Sequence, residues 1–222
     1  MRFEVAAAGR TLAAAMPSAA RTDQVLTIVI EGDGRAHDRH GRASPDPTPD
    51  KAVGLELAKA WPGSAAWLGR PCQYVQDAAC KPADWTTHRF SEEAVAMTDA
   101  AVSALMSRAQ AERVVLVGWS GGGVMATLVA ARRDDVAGLV TIAAPLDLAA
   151  WTRSRGLSPL QGLDPADLPP ITAAQAHLTG AFDPLVRPAV VRETARRLAG
   201  PQGQVETWPE RHDCCWVARV EE

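Results

Sequence analysis

Three short apolar runs constrain the fold of this chain more than any other feature. They are VLTIVI at 25–30, RVVLVGW at 113–119 and VAGLVTIAAP at 136–145, all rich in β-branched residues and almost free of charge. Strands that are apolar on both faces are typical of parallel sheets, because helices cover both sides of such sheets. We therefore expect these runs to be buried strands of a mostly parallel sheet.

Segments with helical character separate the apolar runs. The clearest is residues 91–110, where apolar residues recur at helical spacing. Ser91 can cap its first turn, in which Glu92 and Glu93 complement the helix dipole. The other predicted elements are helices at residues 55–61, 124–133 and 188–200 and strands at residues 3–5, 72–76, 173–180 and 204–208.

The alternation of strands and helices predicts a single α/β domain that spans residues 1–222. A chain of 222 residues, 47% of them hydrophobic, is long enough for one domain with a full core. Residues 146–170 are rich in Pro, Gly and Leu, and we expect a short cap-like insertion there. A cap of that size cannot enclose a long lipid chain.

Charge and hydropathy argue against two classes of partner. The net charge is −3 and the basic residues are scattered, so we expect no nucleic-acid partner. No stretch approaches the roughly 20 apolar residues that a membrane span needs. Residues 1–20 are faintly similar to a signal peptide, but Gly9 and Arg10 interrupt their apolar part. We interpret them as a short strand and a loop, and a signal removed upstream remains an alternative.

The segment VVLVGWSGGGVMATLVAA contains the clearest functional motif. It places Ser120 in the pattern G-x-S-x-G between a predicted strand and a predicted helix, which is typical of a nucleophile elbow. Gly118 and Gly122 would relieve crowding in this sharp turn and expose the serine hydroxyl at the carboxyl end of the sheet. The alternative is a glycine-rich turn that only packs well. A phosphate-binding loop is disfavoured, because the Lys-Ser/Thr pair of a P-loop is absent.

A serine nucleophile needs a base, usually a histidine that a carboxylate orients. In this architecture the acid and the histidine follow the serine along the chain. His212 meets that condition, because it lies in a loop after the last predicted strand. The other histidines either precede the serine or lie within a predicted strand, namely His37, His40, His88 and His177.

Two aspartates are candidates for the acid. Asp183 follows the strand at 173–180, and one helix and one strand separate it from His212, as two neighbouring loops require. Asp147 follows the strand at 136–145 and could instead cap the segment after it. We therefore expect Asp183 to orient the histidine.

The segment EGDGRAHDRHGRASPDPTPD, at residues 31–50, offers a metal site as an alternative centre. Its candidate ligands would be Asp33, His37, Asp38 and His40, but their spacing matches no known ligand motif, so we expect no metal. The glycines of this segment instead favour a lip of the active site, where backbone N–H groups can turn toward a bound carbonyl group.

Tryptophan is abundant, with seven residues in the chain. Trp119, adjacent to the candidate nucleophile, and Trp151, in the cap segment, are candidate walls of an apolar substrate pocket. Their aromatic neighbours in this hypothesis are Trp61, Trp67 and Trp85. The alternative for each tryptophan is a role in the core.

The four cysteines form two pairs along the sequence. Cys72 and Cys80 can close a small disulfide loop, worth about 2.5 kcal/mol in the chain-entropy model, provided that the compartment is oxidising. Cys214 and Cys215 are adjacent, and we expect both thiols to remain free.

GWSGGG and the order of elements over residues 25–215 resemble the α/β-hydrolase fold superfamily. More narrowly, EGDGRA, RPCQY and RFSEE are similar to a poorly characterised group of bacterial hydrolases. The resemblance implies a serine hydrolase that cleaves small carboxylic esters through an acyl-enzyme at Ser120, without a cofactor. Alternatives are a thioesterase, amidase or acyltransferase with the same triad, or a binding protein that keeps the fold without catalysis. The complete set of serine, histidine and acid argues against the last.

The resemblance also assigns the oxyanion hole and a compartment. The backbone amides of Asp33 and Gly121 would bind the oxyanion, with Gly34 as the alternative donor in the first loop. Glu31 stands where many members of the superfamily carry a histidine. We expect the Asp33 side chain to turn away from the oxyanion, toward Arg35. An exported protein is expected, since many similar sequences look exported, and a cytoplasmic one is the alternative.

Overall fold

The computed structural model describes residues 1–17 and 24–220, which fold around one eight-stranded sheet. The sheet order is β1-β2-β4-β3-β5-β6-β7-β8. β2 runs antiparallel to β1 and to β4, and every other neighbouring pair is parallel. The strands are β1 Arg2–Ala7, β2 Arg10–Ala15, β3 Val25–Ile30, β4 Ala65–Leu68, β5 Arg113–Trp119, β6 Val136–Ile142, β7 Ala174–Gly180 and β8 Gln204–Trp208.

Helices cover both faces of the sheet. The helices are α1 Val53–Ala60, α2 Pro82–Trp85, α3 Glu92–Ala109, α4 Gly121–Ala130, α5 Leu148–Arg155, α6 Pro188–Ala199 and α7 Trp216–Val220. α3 and α4 pack against one face in the larger core cluster, and α1 and α7 pack against the other. Of the helices within the described ranges, none combines the length and apolarity that a membrane crossing requires.

The predicted α/β architecture with a mostly parallel sheet is confirmed. β3 and β5 coincide with the apolar runs at 25–30 and 113–119. Both are buried because α1 lies on one side of them and α4 on the other. Ser91 caps α3 as expected, since its side chain accepts a hydrogen bond from the Ala94 amide at 3.2 Å.

Two local predictions in the first 80 residues are wrong. Arg10–Ala15, expected in a loop, forms β2, and the last residues of that expected loop, 18–20, lie outside the described residues. The strand expected at 72–76 is a turn, in which Cys72 and Tyr74 have positive φ angles of 66° and 63°. The strand that pairs with β3 instead lies a few residues earlier, in β4. β2 and β4 are rich in alanine, which has a low β-propensity, so their packing against neighbouring strands decides their structure.

Both cysteine pairs are bonded in the structure. Cys72 and Cys80 form a disulfide with their Cα atoms 5.8 Å apart, which agrees with the pairing expected from their spacing. The expectation for the second pair is wrong, because Cys214 and Cys215 are also joined, with a Cα separation of 3.2 Å. This second bridge lies on the exposed surface, in the loop that carries His212.

His177 is a buried residue of the sheet, as its position within a predicted strand indicates. Its Nδ1 lies 2.8 Å from the Thr141 hydroxyl and its Nε2 lies 3.1 Å from the Gln175 side-chain oxygen. Because that oxygen can only accept, Nε2 donates and Nδ1 accepts from the hydroxyl, which defines a neutral imidazole. Burial lowers the pKa of His177 to about 4.

We expect His177 to make the folded protein sensitive to mild acid. Between its usual pKa of 6.5 and its folded pKa of about 4, the unfolded chain binds a proton that the folded chain does not. Stability is therefore fully present above pH 6.5 and falls as the pH is lowered, by up to about 3 kcal/mol near pH 4. Urea unfolding across this range measures the slope. His177→Gln should flatten it and exposed His88→Gln should not; equal slopes in all three proteins would contradict the prediction.

Candidate active site

Ser120 lies at the sharp turn between β5 and α4. Its φ and ψ are 53° and −125°, a backbone conformation that residues with a side chain rarely adopt. A Cβ atom at Gly118 would collide with the Gly122 carbonyl, and one at Gly122 would collide with the Ile30 carbonyl at the end of β3. Gly118 therefore allows the turn to close tightly, and Gly122 allows it to pack against β3. The serine lies at the carboxyl end of the sheet.

Three side chains form a continuous hydrogen-bonded line at this edge. His212 Nε2 lies 3.0 Å from Ser120 Oγ, and His212 Nδ1 lies 2.7 Å from Asp183 Oδ2. Because a carboxylate oxygen only accepts, Nδ1 donates to Asp183 and Nε2 is left to accept from the serine hydroxyl. The arrangement can therefore move a proton from the serine to the imidazole.

The loop after β7 holds the Asp183 carboxylate in a fixed orientation. Its Oδ1 accepts hydrogen bonds from the amides of Leu185 and Val186, at 2.7 and 2.8 Å, which leaves Oδ2 for the histidine. Both Asp183 and His212 are buried. Asp147 instead accepts from the Ala150 amide at 2.7 Å and caps α5. The structure thus brings Asp183, and not Asp147, to His212.

Two indole groups hold the loop that carries His212. Trp119 and Trp216 both donate from Nε1 to the His212 carbonyl oxygen, at 3.0 and 3.1 Å. The Trp119 ring also lies 5.2 Å from the imidazole ring. Trp216 was not predicted to contribute to the site, although its position four residues after His212 was a usable signal.

The loop after β3 is fixed by the buried side chain of Glu31. Its carboxylate accepts hydrogen bonds from the amides of Gly32, Gly54 and Leu55 and from Trp67 Nε1, at distances between 2.9 and 3.3 Å. Burial raises the pKa of Glu31, and these hydrogen bonds oppose that shift by favouring the carboxylate. Glu31 thereby ties the end of β3 to β4 and to the first turn of α1.

The next residues of this loop lie directly beside the serine. A Cβ atom added at Gly121 would collide with the Asp33 carboxylate, so Asp33 and the first residue of α4 are in contact. Across 1–17 and 24–220, no protein acceptor is found for the backbone amide of Asp33 or of Gly121. Both donors are thus available to an oxygen atom of a ligand.

The expected direction of the Asp33 side chain is wrong. Arg35 pairs with Asp50 at 3.3 Å, on the exposed side of the loop. Asp33 instead forms ion pairs with Arg70, at 3.0 Å from Nη1, and with Arg89, at 3.1 Å from Nε. The reason is packing, because Arg70 and Arg89 are buried beneath the loop. The two arginines begin the segments RPCQY and RFSEE, but nothing in those segments predicts that they pair with Asp33.

The candidate metal ligands of this loop do not converge. In the part of the chain that the structure describes, no three His, Cys, Asp or Glu side chains form a group that could hold a metal ion. Asp38 accepts hydrogen bonds from the amides of His40 and Arg42 and pairs with the Arg42 side chain at 2.8 Å. Asp38 therefore shapes the exposed part of the loop.

The tryptophans expected to line a substrate pocket lie in different parts of the structure. Trp67 and Trp85 are buried, and Trp61 lines an apolar pocket near α7. Trp119 lies beside His212, and its ring would collide with a Cβ atom at Gly32, so it also contacts the loop after β3. Trp151, on α5, donates to the Leu185 carbonyl at 2.9 Å and thus joins the cap segment to the loop of Asp183.

Solved structures of other proteins share the architecture of this chain. No protein-family model matches the sequence, and no curated protein matches it significantly. Among solved structures, an α/β serine hydrolase homologue from Coxiella burnetii superposes with a TM-score of 0.64 at 17% identity, covering 99% of this chain and 91% of its own.

Two further structures give similar values. An esterase from Pyrococcus furiosus has a TM-score of 0.66 at 15% identity, with 99% of this chain and 88% of its own covered. A serine hydrolase without a lid from Xanthomonas campestris has a TM-score of 0.63 at 16% identity, with 96% and 85% covered. Identities this low establish a shared fold and nothing finer. This chain has the α/β-hydrolase fold.

Proposed function

We propose that this protein is a serine hydrolase that cleaves carboxylic esters through an acyl-enzyme intermediate. The observation that carries the proposal is the line from Asp183 through His212 to Ser120, with distances of 2.7 and 3.0 Å, which ends on a serine in a strained turn. The names of the structural neighbours, which include an esterase and two serine hydrolases or homologues, support it.

The proposed reaction has two halves that use the same groups. Ser120 Oγ attacks the ester carbonyl carbon while His212 Nε2 takes its proton. The bond to the leaving alcohol then breaks, and His212 returns the proton to the alcohol oxygen. A water molecule, activated by His212 in the same way, releases the acid from the serine. Asp183 keeps the imidazole in the required tautomer and stabilises it while it is protonated.

The oxyanion of the tetrahedral intermediate would accept from the backbone amides of Gly121 and Asp33. Gly121 follows Ser120 in the chain and contacts the Asp33 side chain, and neither amide has a protein acceptor among the described residues. Gly121 is the first residue of α4, so the positive end of the helix dipole also favours a negative charge here. Each such donor contributes about 3 kcal/mol to transition-state stabilisation.

The expected cap is short, which argues against a substrate with a long acyl chain. Residues 146–170 contain only one helix, α5, and the 3-10 turn Pro165–Asp167. Trp119 and Trp151 are the proposed walls of the pocket, because one lies beside His212 and the other joins the cap to the loop of Asp183.

Ser120 should be the residue that a fluorophosphonate probe labels. Ser120→Ala should abolish labelling and lower the turnover of a p-nitrophenyl ester by several orders of magnitude, because no other group replaces the nucleophile. Intact-mass measurement of the labelled protein and an absorbance assay provide the two readouts. Ser107→Ala, at an exposed position on α3, is the control. Labelling that persists in Ser120→Ala would refute the proposal.

The two candidate acids should respond very differently to substitution by asparagine. Asp183→Asn should lower kcat by about 10³- to 10⁴-fold, since an amide donor at this position favours the wrong tautomer of His212. Asp147→Asn should retain both activity and stability, because asparagine caps a helix as well as aspartate does. Steady-state kinetics and thermal unfolding of both variants test this. Similar small losses of kcat would mean that another group orients the imidazole.

Chelation should leave the reaction unaffected. Dialysis against EDTA should not change ester hydrolysis, and His37→Ala combined with His40→Ala should retain activity, because within the described residues neither histidine belongs to a group that could hold a metal ion. Rates before and after dialysis, and again after addition of Zn²⁺ or Mn²⁺, measure the effect. Loss on chelation that a divalent metal restores would require a different mechanism.

A further inference from the structure

Two buried arginines meet a single carboxylate beside the proposed nucleophile. Arg70 and Arg89 are only 4% and 6% exposed, and both contact the carboxylate of Asp33. Arg70 donates a hydrogen bond from Nη1 to Oδ1 at 3.0 Å, whereas the Arg89 contact, Nε to Oδ2 at 3.1 Å, is an ion pair without hydrogen-bond geometry. We refer to Asp33, Arg70 and Arg89 as the charge cluster.

The aspartate is the member of the charge cluster that lies against Gly121, the residue after the serine. Its side chain is 22% exposed, against 5% and 7% for the two arginine side chains behind it. Its carboxylate contacts Gly121, whose amide is a proposed oxyanion donor. An uncompensated negative charge at this position would repel the negative charge that develops on the substrate oxygen.

Several contacts hold the arginines in place behind the carboxylate. Arg70 Nη2 donates to the Arg89 carbonyl at 2.6 Å, and the Phe90 ring lies 5.0 Å from the Arg70 guanidinium and 5.7 Å from that of Arg89. The ring of Trp151 lies 5.9 Å from the Arg89 guanidinium. Guanidinium groups stay protonated and these rings favour cations, so the charge cluster carries two positive charges and one negative.

We propose that Arg89, together with Arg70, is a positioning residue for catalysis that acts through charge compensation. The arginines neutralise Asp33, whose backbone amide is needed beside the serine, and leave the charge cluster with a net charge of about +1 that favours the oxyanion. Gln73 supports the same loop, since its side chain donates to the Gly32 carbonyl and accepts from the Arg70 amide. The inference rests on the proposed ester hydrolysis at Ser120.

A double-mutant cycle between Arg89 and Asp33 tests the proposal. Arg89→Met brings the net charge of the cluster to zero, and Arg89→Met combined with Asp33→Asn restores it to +1. With Asp33 present, Arg89→Met should lower kcat by about 10- to 100-fold. Arg89→Met combined with Asp33→Asn should have a kcat within about threefold of the wild type, because the two proteins carry the same net charge in the cluster. A purely structural role for Arg89 predicts that the double variant stays as slow as Arg89→Met or becomes slower.

Two further readouts separate electrostatics from substrate binding. KM for a neutral p-nitrophenyl ester should stay nearly constant in Arg89→Met, because the ground-state carbonyl is uncharged. A boronic acid, which forms an anionic tetrahedral adduct with the serine, should bind more weakly by the same factor as kcat falls. Arg89→Lys keeps the charge and should recover most of the kcat. Exposed Arg35→Met, which removes the partner of Asp50 in the same loop, is the control and should retain activity.

Several results would overturn the inference. The inference is overturned if the double variant is as slow as Arg89→Met, if the loss lies in KM, or if Arg89→Lys fails to recover activity. Circular dichroism checks folding, and Arg89→Gln replaces Arg89→Met if the latter does not fold. Failure of both neutral variants to fold would show a structural role and also overturn it. The proposed function fails separately, if the wild-type protein shows no hydrolysis that depends on Ser120.

Discussion

The close approach of the turn at Ser120 to the end of β3 is the constraint on which the rest of the structure depends. Gly122 has no side chain, so the backbone of the turn packs directly against the Ile30 carbonyl. This contact brings the loop after β3 beside the first turn of α4, where Asp33 touches Gly121. A Cβ atom at Gly122 would push the turn away from the end of β3, and one at Gly118 would collide with the turn itself, so that the amides of the proposed oxyanion hole would be displaced.

Buried polar groups then fix the loops that surround this contact. The Glu31 carboxylate gathers four N–H donors from β4, α1 and its own loop, and the His212 carbonyl accepts from two indole groups. Burying the Glu31 carboxylate or the His212 carbonyl costs free energy unless its hydrogen-bond partners are present. The positions of the loops that supply these partners therefore depend on one another. The proposed catalytic side chains are therefore held by residues that do not themselves take part in the chemistry.

Much of the fold and of the proposed triad could be predicted because the signals are local or ordered along the chain. Apolar runs defined β3 and β5, and the glycines around Ser120 defined the turn. Chain order selected His212 and Asp183, since both follow strands that end at the same edge of a parallel sheet. The short, alanine-rich strands β2 and β4 were not predicted, because their strand structure comes from their neighbours in the sheet rather than from their own composition.

The sequence by itself determined the layered α/β fold and the strained turn at Ser120, since hydrophobic periodicity and the lack of side chains at Gly118 and Gly122 act over a few residues. Only the tertiary structure decided that Asp33 pairs with Arg70 and Arg89 instead of Arg35. The physical reason is that ion pairs between distant residues depend on where folded loops place their side chains. A charged residue carries no local signal for which of several arginines will be buried beside it.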